Sequence, residues 1–341
     1  MKRILVIQTA FIGDVVLATG MVEQLHQWYP GADIDFLLRK GNEGLLKNHP
    51  FVGNVLIWDK KNGKYGDLYR LLKIIRANRY DLVVNVQRFA ATGLLTALSG
   101  SATTIGFNKN PFSRFFTHRI QHVVQQQNGE TLHEVDRNLA LIKPLQPDPS
   151  APLKALKPRL YPSIEDTEKI RHYQIIPYIT ISPASIWFTK MFPVEKWVEL
   201  IQQIPAQYRI YLLGGPADKT LAEKIIALTQ RNEIVTLCGQ LSFLQSAALM
   251  KTAVMNYVND SAPMHFASSV NAPVTAVYCS TLPGFGFGPL SDQSTVVETK
   301  VALHCRPCGL HGHAKCPENH FKCAYTIAVS DLLKPIGEKI K

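Results

Sequence analysis

Asp14 follows Ile12 and Gly13 directly behind the apolar run 4–7, where a strand hands over to a helix. A carboxylate there can cap the helix N-terminus, or it can take the proton from a hydroxyl that attacks an electrophile. Position alone favours the cap. Gly13 beside it permits a sharp backbone turn or a close approach to a ligand. A second polar segment, Asn259, Asp260, Ser261, Ala262, Pro263, Met264 and His265, closes the apolar run 253–258. Ser261 offers a hydroxyl, and the helix expected behind it offers N–H groups. With His265, and with Lys190 from the loop 182–193, they form a cationic, donor-rich cradle suited to a diphosphate. Gly214 and Gly215 end a further apolar run. Backbone can approach a phosphate there or merely turn tightly, and Asp218 can cap the next helix or hold ribose hydroxyls.

The cysteines form the most conspicuous local cluster. Cys305, Cys308, Cys316 and Cys323 lie within nineteen residues, interleaved with His304, His311, His313 and His320. Four thiols containing one CxxC pair make a structural tetrahedral Zn²⁺ an expectation, against the plainer reading of buried free thiols. The second pair is spaced more widely than in a zinc ribbon. Cys238 and Cys279 read as small core residues.

These groups need rigid elements to hold them. Strand patterns at 4–7, 34–38, 55–58 and 82–86 alternate with helical patterns at 15–29, 43–48, 67–78 and 92–99, a βα rhythm that predicts a parallel sheet covered on both faces. Pro144, Pro147, Pro149, Pro152, Pro158 and Pro162 then interrupt it, as an extended linker would. The rhythm resumes with strands at 178–181, 209–213, 234–237, 254–258 and 274–278 and helices at 194–203, 217–230, 242–250 and 264–269. Two domains are expected, 1–155 and 156–341, the second containing the Cys-rich segment 304–323. In open α/β sheets ligands bind beyond the carboxyl ends of the strands. The two polar loops therefore predict two Rossmann-like domains facing across a cleft.

Composition narrows the classes. At 341 residues the chain exceeds one hydrophobic core. Its apolar runs are too short for a transmembrane helix, and its start is too short and too soon polar for a signal peptide. A cytoplasmic protein with reduced thiols is expected. The formal charge is +11, and residues 60–130 hold eleven Lys or Arg against three acids. Such a surface is either simply solvated or a face for phosphorylated ligands or an acidic membrane. No nucleic-acid motif accompanies it, so no nucleic-acid partner is expected.

The order and spacing of several short segments resemble the ADP-heptose:lipopolysaccharide heptosyltransferases, the ninth glycosyltransferase family. The likeness takes in Ile12, Gly13 and Asp14; Gly106 and Phe107; Phe116, Thr117, His118 and Arg119; and Lys190 with Phe192 and Pro193. It continues through residues 212–217, Asn259, Asp260 and Ser261 with His265, and Gly288, Pro289 and Leu290. The resemblance implies an α/β chain of the GT-B fold, with the acceptor on the N-terminal domain and ADP-heptose on the C-terminal one. It implies Asp14 as general base, Lys190, Asp260, Ser261 and His265 around the nucleotide sugar, Ser185 near the phosphates and Leu241 lining the adenine pocket.

Ala262 stands where the family has glycine, Ile186 replaces a second hydroxyl residue, and Cys279 with Ser280 replaces Gly-Pro. The expected activity is inverting transfer of a heptose from ADP-heptose to the anionic lipid A-core of lipopolysaccharide. It needs no catalytic metal and involves peripheral contact with the cytoplasmic face of the inner membrane. Arg88, Lys109, Arg114 and Arg119 are the candidates for holding acceptor phosphates and carboxylates. The competing readings are another GT-B nucleotide-sugar enzyme, with a different donor or an epimerase, and a catalytically silent nucleotide-sugar-binding paralogue.

Overall fold

The computed structural model describes residues 2–126 and 129–340. It divides into two units, Met1–Tyr161 and Pro162–Lys341. The first runs β1 (Arg3–Ile7), α1 (Ile12–Trp28), β2 (Asp33–Arg39), β3 (Val52–Trp58), α2 (Lys64–Asn78), β4 (Leu82–Asn85), α3 (Ala90–Ala97), β5 (Thr103–Phe107), β6 (His118–Ile120) and α4 (Glu134–Ile142). The second runs α5 (Ile164–Ile170), β7 (Tyr178–Ser182), α6 (Val194–Gln203), β8 (Arg209–Leu212), α7 (Lys219–Thr229), β9 (Ile234–Thr236), α8 (Phe243–Thr252), β10 (Met255–Asn259), α9 (Ala262–Ser269), β11 (Val274–Tyr278), β12 (Ser294–Glu298), α10 (Lys322–Tyr325) and α11 (Val329–Ile340).

Among the described residues each unit carries one six-stranded sheet, β3-β2-β1-β4-β5-β6 and β12-β11-β10-β7-β8-β9. Every neighbouring pair is parallel. These are the two Rossmann-like halves of a GT-B chain. Parallel strands put all their carboxyl ends on one rim, and the crossover direction reverses between β1 and β4 and between β7 and β10. Switch points of this kind are where open sheets bind ligands.

Burial explains the strands. Ile4, Leu5, Val6 and Ile7 are wholly inaccessible, as expected of a strand covered on both faces. Leu5, Ile7, Leu37 and Val83 pack under Leu68, Leu71 and Ile75 of α2 and Leu95 of α3. In the second unit Trp197, Leu200 and Ile201 of α6 join Ile179, Ile181, Ile210 and Leu212, and α11 returns Leu332 and Ile336 to the same core.

The structure departs from the sequence expectations in a few places. The helix expected at 43–48 is a single 3₁₀ turn, Glu43–Leu45. The strands β5, β6 and β12 and the helices α4, α5 and α11 gave no sequence pattern. β6 and β12 are edge strands, β5 carries Thr103 and Thr104 in its apolar run, and α11 contains Pro335, a residue that argues against a helix interior. The unit boundary lies six residues beyond the expected 155, because the end of the proline-rich segment packs along α1. Arg159 N–H donates to Thr19 Oγ1 (2.8 Å) and Tyr161 OH to Glu23 Oε1 (2.7 Å). A Cβ at Gly20 would stand 2.5 Å from the Leu156 carbonyl oxygen, so only glycine lets the two backbones approach.

Candidate functional site

The rim of the second sheet assembles from loops far apart in sequence. Asn259, the last residue of β10, is fully buried and clamps the loop after β7. Its Nδ2 donates to the Pro183 carbonyl (2.8 Å), and its Oδ1 accepts from Phe192 N–H (2.9 Å). That clamp carries Lys190 to the switch point, where its Nζ lies 2.6 Å from Asp260 Oδ2. Thr281 Oγ1, from the loop after β11, donates to the same oxygen at 2.6 Å. The side chains of Lys190 and Asp260 are 15% and 8% exposed, so the pair is largely shielded from water. The ammonium expected to face a diphosphate is thus oriented by a carboxylate that is itself held by a hydroxyl.

Beside this pair α9 begins. Ser261 is its N-cap residue, but its hydroxyl makes no capping bond and instead reaches the Asn259 carbonyl at 3.4 Å. The first turn therefore keeps N–H character towards the rim, less the one that Pro263 lacks. Ala262 is half-buried at the first helical position, and His265 is buried with its ring edge-on to Phe287.

Around the same rim lie Ser185, half-buried after β7, and Leu241, half-buried after β9 and just ahead of Ser242, which caps α8. Gly214 and Gly215 follow β8. A Cβ at Gly214 would meet Asp218 at 2.8 Å, so close packing against the next turn requires glycine there. Asp218 Oδ2 accepts the Gly215 N–H at 2.8 Å. Asp218 is the N-cap residue of α7 but its carboxylate makes no capping bond there; it closes the preceding turn instead.

The Cys-rich segment supports this rim from behind. His313 N–H donates to Thr189 Oγ1 (2.7 Å), and Thr189 N–H donates to the His313 carbonyl (3.1 Å). Ser280 Oγ joins Thr189 at 3.1 Å, and Cys308 N–H donates to the Ser280 carbonyl (2.9 Å). Arg306 donates to the carbonyls of Cys279 (2.8 Å) and Thr281 (2.9 Å) and pairs with Glu298. The segment thus buttresses the residue directly before Lys190.

Cys305, Cys308, Cys316 and Cys323 line one cavity of about 310 Å³ with His313, Glu318 and His320. Burial, then the neighbouring thiols, pushes the Cys323 thiol up to about 11. All six cysteines are free, and Cys238 and Cys279 are core residues. Among the described residues no three His, Cys, Asp or Glu side chains stand as a ready ligand set for one ion. The thiol chemistry suits Zn²⁺, while the side-chain placement is not that of a formed site.

In the first unit, Asp14 lies at the switch point between β1 and β4. It is the third residue of α1, not its N-cap, which is Phe11; its Oδ2 accepts the Phe11 N–H at 3.1 Å. Gly13 lies within the helix and is not left-handed, so no sharp turn depends on it.

Two arginines share the field of Asp14. Arg39, at the end of β2, lies 4.9 Å over the Phe11 ring; burial lowers its pKa and Asp14 opposes that shift. Arg88 follows β4. Burial pushes the Glu134 carboxyl up to about 7, with Arg137 pulling it down, Asp14 pushing it up and Arg88 pulling it down. The Arg137 guanidinium, itself buried, holds Glu134 at 2.7 Å and the Leu132 carbonyl at 2.8 Å. His122, after β6, is pushed down to about 4 by burial, then by Arg88, Arg137 and Lys109. These groups form one electrostatic neighbourhood around a carboxylate.

Of the four expected acceptor cations, Arg88 and Lys109 belong to this neighbourhood. Arg114 stacks its guanidinium 4.7 Å over Phe115 in the loop after β5, and Arg119 lies inside the edge strand β6, not in a rim loop. Sequence reasoning passed over Arg39, His122, Glu134, Arg137 and Thr189, and named Asn259 without foreseeing its clamp. Only Glu134 and Arg137 had a local signal, an i,i+3 acid–base pair opening a helix; the others become visible only when strand ends converge.

A family model, glycosyltransferase family 9 (heptosyltransferase), matches residues 68–317. A lipopolysaccharide heptosyltransferase 3 of Escherichia coli is 28% identical over 283 residues, covering 80% of this chain and 82% of that protein. The solved E. coli ADP-heptose LPS heptosyltransferase II superposes with a TM-score of 0.79 at 22% identity, over 99% of this chain and 98% of the other. An E. coli heptosyltransferase solved with ADP gives 0.72 at 19% identity, covering 98% and 99%. Two six-stranded parallel sheets with a clamped lysine at one switch point and a carboxylate at the other agree with that match, and the chain belongs to glycosyltransferase family 9, the heptosyltransferases.

Proposed function

We propose that this transferase moves a heptose, with inversion, from ADP-heptose to a sugar hydroxyl of the lipopolysaccharide inner core. The observation that carries this reading is the Lys190 ammonium, held at the second switch point by Asp260 and adjoining the mouth of α9. As the glycosidic bond to ADP breaks, negative charge grows on the diphosphate. A fixed cation and a helix N-terminus stabilise that charge without reorganisation.

On the first unit, Asp14 takes the proton of the attacking hydroxyl. Arg39, Arg88 and Lys109 offer charge-assisted hydrogen bonds to acceptor phosphates or carboxylates. No step in this scheme requires a metal. The donor class is supported by the family and by a relative solved with ADP. A thermal-shift screen tests it: at a hundredfold excess over Kd, ADP and ADP-sugars should add about 2.7 kcal/mol of stability. UDP- and GDP-sugars should leave Tm unchanged. Stabilisation by UDP-sugars instead would assign another donor.

An acceptor carrying lipid A is anchored in a bilayer, so the enzyme is proposed to work at the membrane surface. No described helix is long and apolar enough to cross one.

For the four thiols that share one cavity, we keep structural Zn²⁺ as a proposal; binding requires their side chains to turn inward together. Near-stoichiometric zinc is expected in protein purified without chelator. Metal-free protein with four titratable thiols and an unchanged Tm would leave them as packing residues. The segment contacts Thr189, so zinc removal is expected to loosen the Lys190 loop and raise the KM for donor.

A further inference from the structure

Part of the basic stretch of the first unit lies on one helix face. α2 buries Leu68, Leu71 and Ile75 against the sheet and leaves its opposite side to solvent. On that side Tyr65 and Tyr69 are 78% and 62% exposed, and Lys73 follows four residues on with its ammonium 4.6 Å over the Tyr69 ring. Positions 65, 69 and 73 form one i,i+4 row. Lys61 precedes the helix, and Arg76 and Arg79 extend the charge to its end, all exposed. The helix's one acid, Asp67, is occupied by Arg70 at 2.5 Å and by the Asp59 N–H at 2.7 Å. The outer face therefore presents cations and phenols, and no carboxylate.

Packing does not account for these side chains, since the core is complete without them. Exposed tyrosines cost solvation that a purely polar face would avoid. Phenols interleaved with Lys and Arg match the headgroup layer of an anionic bilayer, where the ring lies at the interface and the cations meet lipid phosphates. The position is also apt. α2 starts beyond β3, whose carboxyl end shares a rim with that of β4, so its first turn lies on the same edge as Arg88 and the 67%-exposed Phe89.

We propose that the outer face of α2, with Tyr65, Tyr69, Lys73, Arg76 and Arg79, docks this enzyme flat on an anionic lipid surface and so presents the Asp14 rim to a bilayer-anchored acceptor. The proposal rests on the reading of the acceptor as a lipid-linked glycan, and it concerns residues outside the reacting groups.

Sedimentation of the full chain with vesicles tests it. Binding is expected to phosphatidylcholine vesicles containing phosphatidylglycerol, weakly to phosphatidylcholine alone, and to fall with added salt. Each cation near such a surface is worth roughly fivefold in partitioning, so Lys73→Gln with Arg76→Gln should weaken binding about thirtyfold. Tyr65→Ser with Tyr69→Ser should weaken it several-fold with little change in its salt dependence. Both double variants should keep the wild-type Tm, and wild-type transfer to an acceptor stripped of its acyl chains.

Vesicle binding that is unchanged in both variants overturns the docking face. So does a Lys73→Gln/Arg76→Gln variant that sediments normally but loses binding to a short oligonucleotide, which would make nucleic acid the occupant. Failure of the functional reading shows differently: vesicle binding would follow the variants as expected while wild type transferred no heptose to the stripped acceptor.

Discussion

Asp14→Asn is expected to lower transfer at least a hundredfold while the protein remains folded and binds ADP-sugar normally. General-base catalysis typically supplies about 10²–10⁴-fold, and an amide cannot accept the proton. The structural cost is small for an identifiable reason. The contact Asp14 makes within α1 is the acceptance of the Phe11 N–H through Oδ2, and asparagine's carbonyl oxygen can accept the same bond. Losing a negative charge in the first helical turn costs about 0.3–1 kcal/mol. The proposed donor residues all belong to the second unit, so nucleotide-induced thermal shifts should match those of wild type. Steady-state kinetics with saturating donor check the rate. Retention of most of the wild-type kcat would reduce Asp14 to a helix-end residue and direct the search for a base to Glu134.

Lys190→Ala is expected to reduce kcat/KM for donor by one to two decades, because a charge-assisted hydrogen bond to phosphate contributes roughly 1.5–3 kcal/mol. The ion pair adds a second effect. Truncating Lys190 leaves Asp260, whose side chain is 8% exposed, as a nearly buried carboxylate whose closest remaining partner is Thr281. Breaking a buried pair from one side typically costs about 3–5 kcal/mol, so Tm should fall as well. Adding Asp260→Asn removes the orphaned charge. The double variant should recover stability without recovering activity, which separates the cost of the orphaned carboxylate from loss of the lysine's contact with the diphosphate. A Lys190→Ala enzyme with normal kcat/KM at limiting donor would place the loop outside the site.

Much of this was legible in the chain itself. Fully buried central strands such as β1 and β10 advertise themselves as largely apolar runs, with Asp260 directly behind β10 and Asp14 in the first turn of the helix that follows β1. Edge and short elements were not legible. His118–Ile120 is three residues of an exposed strand, and α4 is only nine residues with four polar ones at its start; both are too short to stand out in the sequence. The role of Asp14 at its helix end was misplaced by three residues for a similar reason, since α1 starts at Ile12 and its cap interaction runs backwards to Phe11.

The sequence by itself determined the class of fold, the presence of two units and the family, and it singled out the two loops proposed to carry the chemistry, because each of these is written in contiguous residues whose local pattern is enough. Only the tertiary structure decided which distant groups meet those loops. Asn259 reaches across to residues 183–192, Asp260 and Thr281 together orient Lys190, and the Cys-rich segment ties to Thr189 through His313. Around Asp14, the ends of β2, β4 and β6 and the start of α4 deliver Arg39, Arg88, His122 and Glu134. Such groupings depend on strand order, β3-β2-β1-β4-β5-β6 and β12-β11-β10-β7-β8-β9. That order is set by how whole strands and helices pack, a cooperative property with no local signature in any one of the segments it brings together.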